Sequence, residues 1–388
     1  MTAITTSVAP QVPVSSPTSS TIGPRFARGL WRIAAADASS GNEVELMRDG
    51  TRIFDAMIDL IAQARETVVL ESYIVNSDSV GIRFAEALIA SAKRGVKVRL
   101  IADWVGSWTT RRGYWRMLRE GGIDVRIFNP PGFRRWLGLM PRDHRKVLVA
   151  DQQVAITGGI GLSEEWSGIV KRKRRAPWRD TAVLIRGPAA LDMERAFDSM
   201  WKRAHFEERR AARRHIVRRA RNSDTTPDES TGAVVGIIEG EPWRLRVARA
   251  LQIQSVSAEK AIWIASAYFY PSSAEIEALC GAALDGVDVR VLVPSRYDHP
   301  WMRMLTRSVY RKLLRNGVRI WEWKGVMMHA KTSVIDGRWV RVGSTDFNPL
   351  GIAINYELDA VIESKQLGKD AEEMFLRDLE ESTEIKQA

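Results

Sequence analysis

Cysteine is nearly missing: Cys280 is the single thiol in 388 residues. That rules out an intrachain disulfide or a thiolate metal cluster and suits a reducing compartment. Histidine is scarce, at five residues, and no His or carboxylate spacing matches a metal site. Long apolar runs are absent. The longest, such as 261–270, are strand-sized, whereas a spanning helix needs about 20 apolar residues. Any membrane contact is therefore expected to be peripheral. The first 24 residues or so are rich in Ser, Thr, Pro and Ala and lack the apolar core of a signal peptide, so they read as a disordered tail. Acid is the minority charge, 47 residues against 58 basic ones, which leaves a net +11. Such a balance points to anionic partners: nucleic acid, an acidic bilayer or a phosphate substrate.

What is present fits a globular α/β chain, 45% apolar and 27% charged, long enough for two domains. Helical periodicity over 52–64 precedes a β-branched run at 67–73, a second helix at 81–93 capped by Arg94-Gly95, a strand at 96–102, a helix at 114–120 and a strand at 123–128. The same order returns with a strand at 261–270, a helix at 274–284 capped by Gly286, a strand at 287–293, a helix at 304–314 and a strand at 317–323. The expected map is a tail over 1–40, one domain over 41–205, a basic helix and linker over 206–232, and a second domain over 233–388. The stretch 202–221 holds nine Lys/Arg and two Glu. It reads equally as a solvated helical face or as a patch that attracts phosphate or membrane.

The repeat carries chemistry. His144, Lys146 and Asp151 recur as His329, Lys331 and Asp336, and the pair Gly158-Gly159 recurs as Gly343-Ser344, all displaced by 185 residues. One short motif is weak, but two in register are strong. His and Lys two apart on a strand share a face. If the halves pack about a pseudo-two-fold axis, two imidazoles and two ammonium groups meet in one pocket. One imidazole then attacks a phosphodiester to form a phosphohistidine, and the other serves as acid and base. Lys146 and Lys331 stabilise the extra charge on phosphorus, and no metal or other cofactor is required. Asp151 and Asp336 count with the motif's catalytic set, yet their place at a turn suits holding the hairpin better than reacting. Asp180 and Glu357, each before a strand-like run, are candidates to orient the histidines. The bare sequence reads them equally well as surface carboxylates. An insertion at 129–142, next to His144, contains Phe133, Arg134, Arg135, Trp136 and Leu137. It favours a membrane-dipping loop over one folded back on the core.

These residues resemble the phospholipase D superfamily, and several stretches resemble its bacterial cardiolipin synthase branch: LESYIVNSDSVG (70–81), RGVKVRLIADWVGS (94–107), HRKVLVADQQVAITGG (144–159), WRDTAVLIRGP (178–188) and HAKTSVIDGRWVRVGSTDFNPLGIAINYE (329–357). The resemblance implies two homologous α-β-α sandwich domains with the site at their interface. It also implies a covalent phosphohistidine and Asp180 and Glu357 as orienting carboxylates. The pocket would include Gly159, Ser344, Asp346, Asn348 and Asn355. Two departures stand out: Gly161 and Asp346 occupy positions where the family usually has Asn, with Asn348 two residues on. The branch often carries N-terminal spans, and this chain is closer to its span-free members. The expected function is a phosphatidyltransferase acting on phosphatidylglycerol, peripheral on the inner face of the bacterial plasma membrane, with His144 as nucleophile and His329 as acid/base. A lipid hydrolase or a metal-independent nuclease is the alternative, although the apolar-tipped insertion argues against nucleic acid.

Overall fold

The computed structural model describes residues 24–131, 141–170, 173–174, 176–204 and 232–387. The first half runs α1 (Pro24–Ala34), β1 (Asp37–Met47), α2 (Gly50–Gln63), β2 (Thr67–Ser72), α3 (Ser79–Lys93), β3 (Lys97–Asp103), α4 (Arg112–Glu120), β4 (Asp124–Phe128), β5 (Lys146–Ala150) and β6 (Val154–Gly158). A small hairpin, β7 (Ile169–Val170) with β8 (Lys173–Arg174), precedes β9 (Ala182–Arg186) and α5 (Pro188–Ala204). The second half begins with β10 (Ala233–Gly240), α6 (Arg246–Ser257), β11 (Ala261–Ser266), α7 (Ser273–Leu284), β12 (Asp288–Pro294), α8 (Pro300–Ser308), α9 (Tyr310–Arg315) and β13 (Arg319–Trp323). It continues with β14 (Lys331–Ile335), β15 (Trp339–Gly343), a π-helical turn (Leu350–Ile354), β16 (Glu357–Glu363), α10 (Lys365–Glu380) and β17 (Ser382–Ile385).

Local chemistry sets the boundaries. Asp78 accepts from the Gly81 amide at 3.0 Å and starts α3. Ser272 and Glu275 form a capping box at the head of α7. Gly95 and Gly286 both take φ of +92° at the ends of α3 and α7, a conformation that suits glycine.

The strands join in the order β17-β13-β12-β11-β14-β15-β16-β10-β1-β9-β6-β5-β2-β3-β4. Read outwards from the central antiparallel pair β1 and β10, the two wings match strand for strand until β17 adds one edge. This is the arrangement a pseudo-two-fold axis requires. Strand alternation sends Val69, Val147 and Val149 to one face and Val68, Leu70 and Leu148 to the other. On the first face α5 and α10 supply Phe197, Met200 and Phe375 to a core that takes residues from both halves. On the second face α2 and α3 cover the first wing with Phe54 and Phe84, while α1, α6 and α7 cover the second with Leu30, Leu251 and Leu279. Each such side chain, fully buried, contributes about 1.5–3 kcal/mol.

Three expectations change. The tail drawn over 1–40 does not hold for its last part: residues 24–34 are helical and β1 begins at Asp37. Their Leu30 and Trp31 are buried, Trp31 against Trp339 with ring centroids 5.7 Å apart, so packing overrides a polar composition. The helix expected over 304–314 is two helices that meet at Val309. The joining pair β1 and β10 has no counterpart among the expected strands. The insertion residues Phe133, Arg134, Arg135, Trp136 and Leu137, and the basic segment beyond residue 204, lie outside the described residues. Among the described residues, no helix is long and apolar enough to cross a membrane.

Candidate active site

His144 and His329 stand two residues before their lysines, which open β5 and β14. Lys146 pairs with Ser72 at the end of β2, and Lys331 with Ser266 at the end of β11. Both motifs therefore sit at the carboxyl ends of parallel strands. Backbone bonds stitch each motif to the opposite half. The His144 amide donates to the Tyr356 carbonyl at 2.9 Å and the Tyr356 amide to Arg142 at 2.8 Å. The His329 amide donates to the Arg179 carbonyl at 2.7 Å and the Arg179 amide to Met327 at 2.9 Å. As a result the carboxylates cross over. Glu357 lies 3.0 Å from His144 Nδ1, and Asp180 lies 2.9 Å from His329 Nδ1. With Nδ1 held by a carboxylate, Nε2 is the reactive nitrogen of each ring.

Each carboxylate is itself held. Ser344 Oγ donates to Glu357 Oε2. The Trp166 indole donates to Asp180 Oδ2 at 2.8 Å, and the Thr181 amide to Oδ1 at 2.8 Å. Lys331 Nζ lies 3.1 Å from His329 Nε2 and 3.3 Å from Asp346. Lys146 Nζ donates to the His144 carbonyl and stands 5.4 Å from the Tyr73 ring centre.

Burial pushes the His144 imidazole well below its ordinary range, and the charges of Lys146, Lys331 and His329 push the same way. His329 is lowered by burial and then by Lys331, with Asp180 opposing. Burial also brings Lys146 down to about 8 and raises the Glu357 carboxyl well above its usual range, against the pull of Lys146. The shifts of His144 and Glu357 both run towards the uncharged partner. The direction that matters for chemistry is a neutral His144 at rest, its Nε2 lone pair available.

The other expected residues divide into groups. Gly159 leaves room for Asp180, since a Cβ there would stand 2.3 Å from Oδ1. Asn348 donates to the Tyr268 carbonyl at 3.0 Å and accepts from the Gly351 amide at 3.0 Å, and Asn355 accepts from the Arg142 amide at 3.3 Å. Both brace the rim backbone. The departures from family habit have local reasons. Gly161 makes space for Trp166, whose ring carbons would lie 3.0 Å from a Cβ, and Asp346 pairs with Lys331 while accepting from the Tyr268 amide at 3.1 Å.

Asp151 and Asp336 require a correction to their place in the catalytic set. Asp151 accepts from the amides of Arg65, Glu66 and Thr67 at 2.8–2.9 Å, and Asp336 from those of Glu259, Lys260 and Ala261 at 2.8–3.0 Å. Those amides open β2 and β11, the ends opposite the histidines. Both aspartates hold positive φ, 50° and 53°, and they clamp a turn.

Sequence reasoning missed the pocket's aromatic walls. Tyr73 meets the His144 ring at 4.8 Å, and Trp166 and Trp178 meet the His329 ring at 5.4 and 5.7 Å. It also missed the buried Arg142–Asp103 pair, 2.8 Å apart, which anchors the segment leading to His144. Tyr73 had a signal: it follows the strand whose last residue pairs with Lys146.

A family model described as cardiolipin synthase, PLD-like domain, matches residues 57–201 and 253–379. The cardiolipin synthase of Clostridium perfringens is 31% identical over 346 residues, which is 89% of this chain and 72% of that protein. That of Listeria monocytogenes is 32% identical over 350 residues, 89% of this chain and 70% of that protein. Among solved structures, phosphatidylserine synthase of Haemophilus influenzae superposes with a TM-score of 0.74 at 12% identity, covering 94% of this chain and 92% of that one. Polyphosphate kinase of Porphyromonas gingivalis does so with 0.57 at 14%, covering 89% and 48%. These two likenesses speak to the fold. The duplicated motif, the paired sheet wings and the sequence relatives agree: the chain belongs to the cardiolipin synthase family of PLD-like proteins and is an enzyme of the phospholipase D superfamily.

Proposed function

We propose that this enzyme is a phosphatidyltransferase that joins two phosphatidylglycerol molecules through a phosphohistidine. The observation that carries the reading is the crossed pair of histidines, each with Nδ1 on a carboxylate of the opposite half. His144 Nε2 attacks the phosphorus of the first lipid, forming a P–N bond as the P–O bond to glycerol breaks. His329, in its doubly protonated form with Asp180 as counter-ion on Nδ1, gives its Nε2 proton to the departing glycerol oxygen. It then takes a proton from the hydroxyl of the second lipid, whose oxygen displaces His144 and restores the free ring. Lys146 and Lys331 balance the charge gained on the phosphoryl oxygens.

A lipid substrate at a membrane surface is supported by the exposed apolar residues at this end of the sheet. Trp108, Trp243 and Trp301 are exposed there, the first two in the connections after β3 and β10 and the third in the first turn of α8. Tryptophan at such a rim suits the headgroup boundary, and the net charge of +11 suits an anionic leaflet. We therefore read the enzyme as peripheral on the inner face of the bacterial plasma membrane.

The test is to incubate the pure protein with phosphatidylglycerol vesicles and identify products by mass spectrometry. Cardiolipin plus glycerol is expected. Phosphatidic acid alone would make it a hydrolase, and cleavage of DNA or RNA without lipid turnover a nuclease. Quenching in base, where a phosphohistidine P–N bond survives, and mapping the trapped intermediate should place phosphorus on His144, and mapping to His329 would reverse the two roles.

A further inference from the structure

The connection from β10 into α6, Glu241-Pro-Trp-Arg-Leu-Arg246, has an unusual backbone. Trp243 and Leu245 both take left-handed conformations, φ 66° and 50°, which bulky residues rarely adopt. The strain has a visible outcome. Trp243 is 76% exposed and Leu245 39%, while the alternate residues Arg244 and Arg246 turn back to Glu241 at 3.4 Å each. Arg203, at the end of α5, reaches the same carboxylate at 3.5 Å. Three guanidinium groups thus gather on one carboxylate. The nearby Glu239 is engaged by Arg145 at 3.3 Å.

The cluster adjoins the catalytic pocket. Arg203 stands over the Tyr356 ring at 5.4 Å, and the Tyr356 carbonyl accepts the His144 amide. The Trp243 amide donates to the Ala353 carbonyl at 2.7 Å, tying the loop to the turn that leads into Glu357. The matching flank of the other half is richer in acid, since Arg48 there also reaches Asp49 at 3.7 Å. There Arg179 replaces Tyr356, and it shares the buried Asp378 with Arg48, which also reaches Glu381. Among the described residues, the gathering of three guanidinium groups on one carboxylate therefore distinguishes this side of the pseudo-two-fold axis.

We propose that Glu241–Arg246 and Arg203 form a second phospholipid site, in which the arginines take the phosphate of the acceptor lipid and Trp243 and Leu245 enter the bilayer boundary. Guanidinium forks match phosphate oxygens, and a rigid apolar pair held outwards by a strained backbone suits interfacial insertion. The inference rests on the transferase reading: a reaction that joins two anionic lipids needs a cation set beside the one that does the chemistry.

The test compares two readouts of the full chain on phosphatidylglycerol vesicles. Cardiolipin formation needs the second lipid. Exchange of labelled glycerol into phosphatidylglycerol needs only the first lipid and the histidine. Arg244→Ala/Arg246→Ala should lower cardiolipin formation by at least about tenfold while exchange stays within about twofold. Glu241→Gln, which removes the acid the three arginines share, should raise cardiolipin formation relative to exchange instead. Trp243→Ala should weaken co-sedimentation with the same vesicles. Wild type that yields only phosphatidic acid overturns the transferase reading and this site together. Wild-type synthesis with variants unchanged, or with exchange lost in step, overturns this site alone.

Discussion

The two halves of the pocket carry the same histidine geometry on different supports. In each, a carboxylate from the opposite half holds Nδ1 at about the same distance, 3.0 Å for His144 and 2.9 Å for His329. The groups around it differ. Asp180 is held by an indole and Glu357 by a hydroxyl. Lys331 has Asp346 beside it, while the matching position in the first half is Gly161, filled by Trp166. Duplication thus preserved what orients the imidazoles and released what sets their charge. That separation makes unequal roles for two equivalent rings physically reasonable. A neutral His144 is suited to attack, and a His329 flanked by Asp180 and Lys331 is suited to pass a proton.

The largest expected effect breaks this equivalence. His144→Asn and His329→Asn should each lower transfer from phosphatidylglycerol by about 10³-fold or more. A substrate with a good leaving group, such as a p-nitrophenyl phosphodiester, should separate them. It needs no proton donor, so His329→Asn should regain most of its first step, measured as a nitrophenol burst, and His144→Asn should regain none. Equal rescue of both would remove the asymmetry.

Next come the crossed carboxylates. Glu357→Gln and Asp180→Asn keep the shape but replace the carboxyl group that fixes the tautomer with an amide, and each should cost about 10²- to 10⁴-fold in kcat. Because each acid lies in the half opposite its histidine, Glu357→Gln should impair phosphohistidine formation on His144 and leave its leaving-group dependence unchanged. Asp180→Asn should instead steepen that dependence. The opposite pattern would mean that the carboxylates serve their own halves.

The crossing marks the limit of what the sequence discloses. The repeat in register made the paired wings legible, along with the helix caps at Gly95 and Gly286 and the shared His-Lys face, because each is written in local spacing. Asp180 and Glu357 were legible as candidates, but their partners were not. The bridges from Tyr356 to His144 and from Arg179 to His329 join residues from opposite halves, and no local pattern encodes a contact between them. β1 and β10 were missed for a related reason. They form the seam itself, with one register shift in β1 between Ser39 and Asn42; the polar stretch DASSGNE of β1 carries little strand signal, whereas the Val/Ile run of β10 carries one but lies outside the repeat. The aromatic walls were hidden because Trp and Tyr read as ordinary core until a pocket is seen between them.

A smaller effect tests Lys146 by pH. Burial brings Lys146 down to about 8, and its charged form is the one that balances phosphoryl charge. The rate of the first step should therefore fall as pH rises through about 8, approaching tenfold per unit well above it. Lys146→Arg, which stays protonated, should flatten that limb even where the absolute rate drops. A fall that persists unchanged in the variant would assign the titration to another group.

The smallest effect on chemistry belongs to the motif's aspartates, and it tests the division between the reacting end and the clamping end of the sheet. Asp151 is partly desolvated, which raises its carboxyl, but the amides of Thr67, Arg65 and Glu66 outweigh this and hold it below the ordinary range. A group so depressed stabilises the fold above its unfolded-state pKa, and the contribution fades as pH falls through the folded value. Asp151→Asn keeps the shape but offers one neutral acceptor to three N–H groups. Solvent reaches this turn and screens the contacts, so the substitution should destabilise the chain by only about 0.5–1 kcal/mol, seen as a lower Tm at pH 7 and a smaller difference from wild type in acid. At a temperature where both are folded, kcat should stay within about twofold. A large loss of kcat with an unchanged Tm would return this aspartate to the catalytic set, and the geometry at the start of β2 would then need a different meaning.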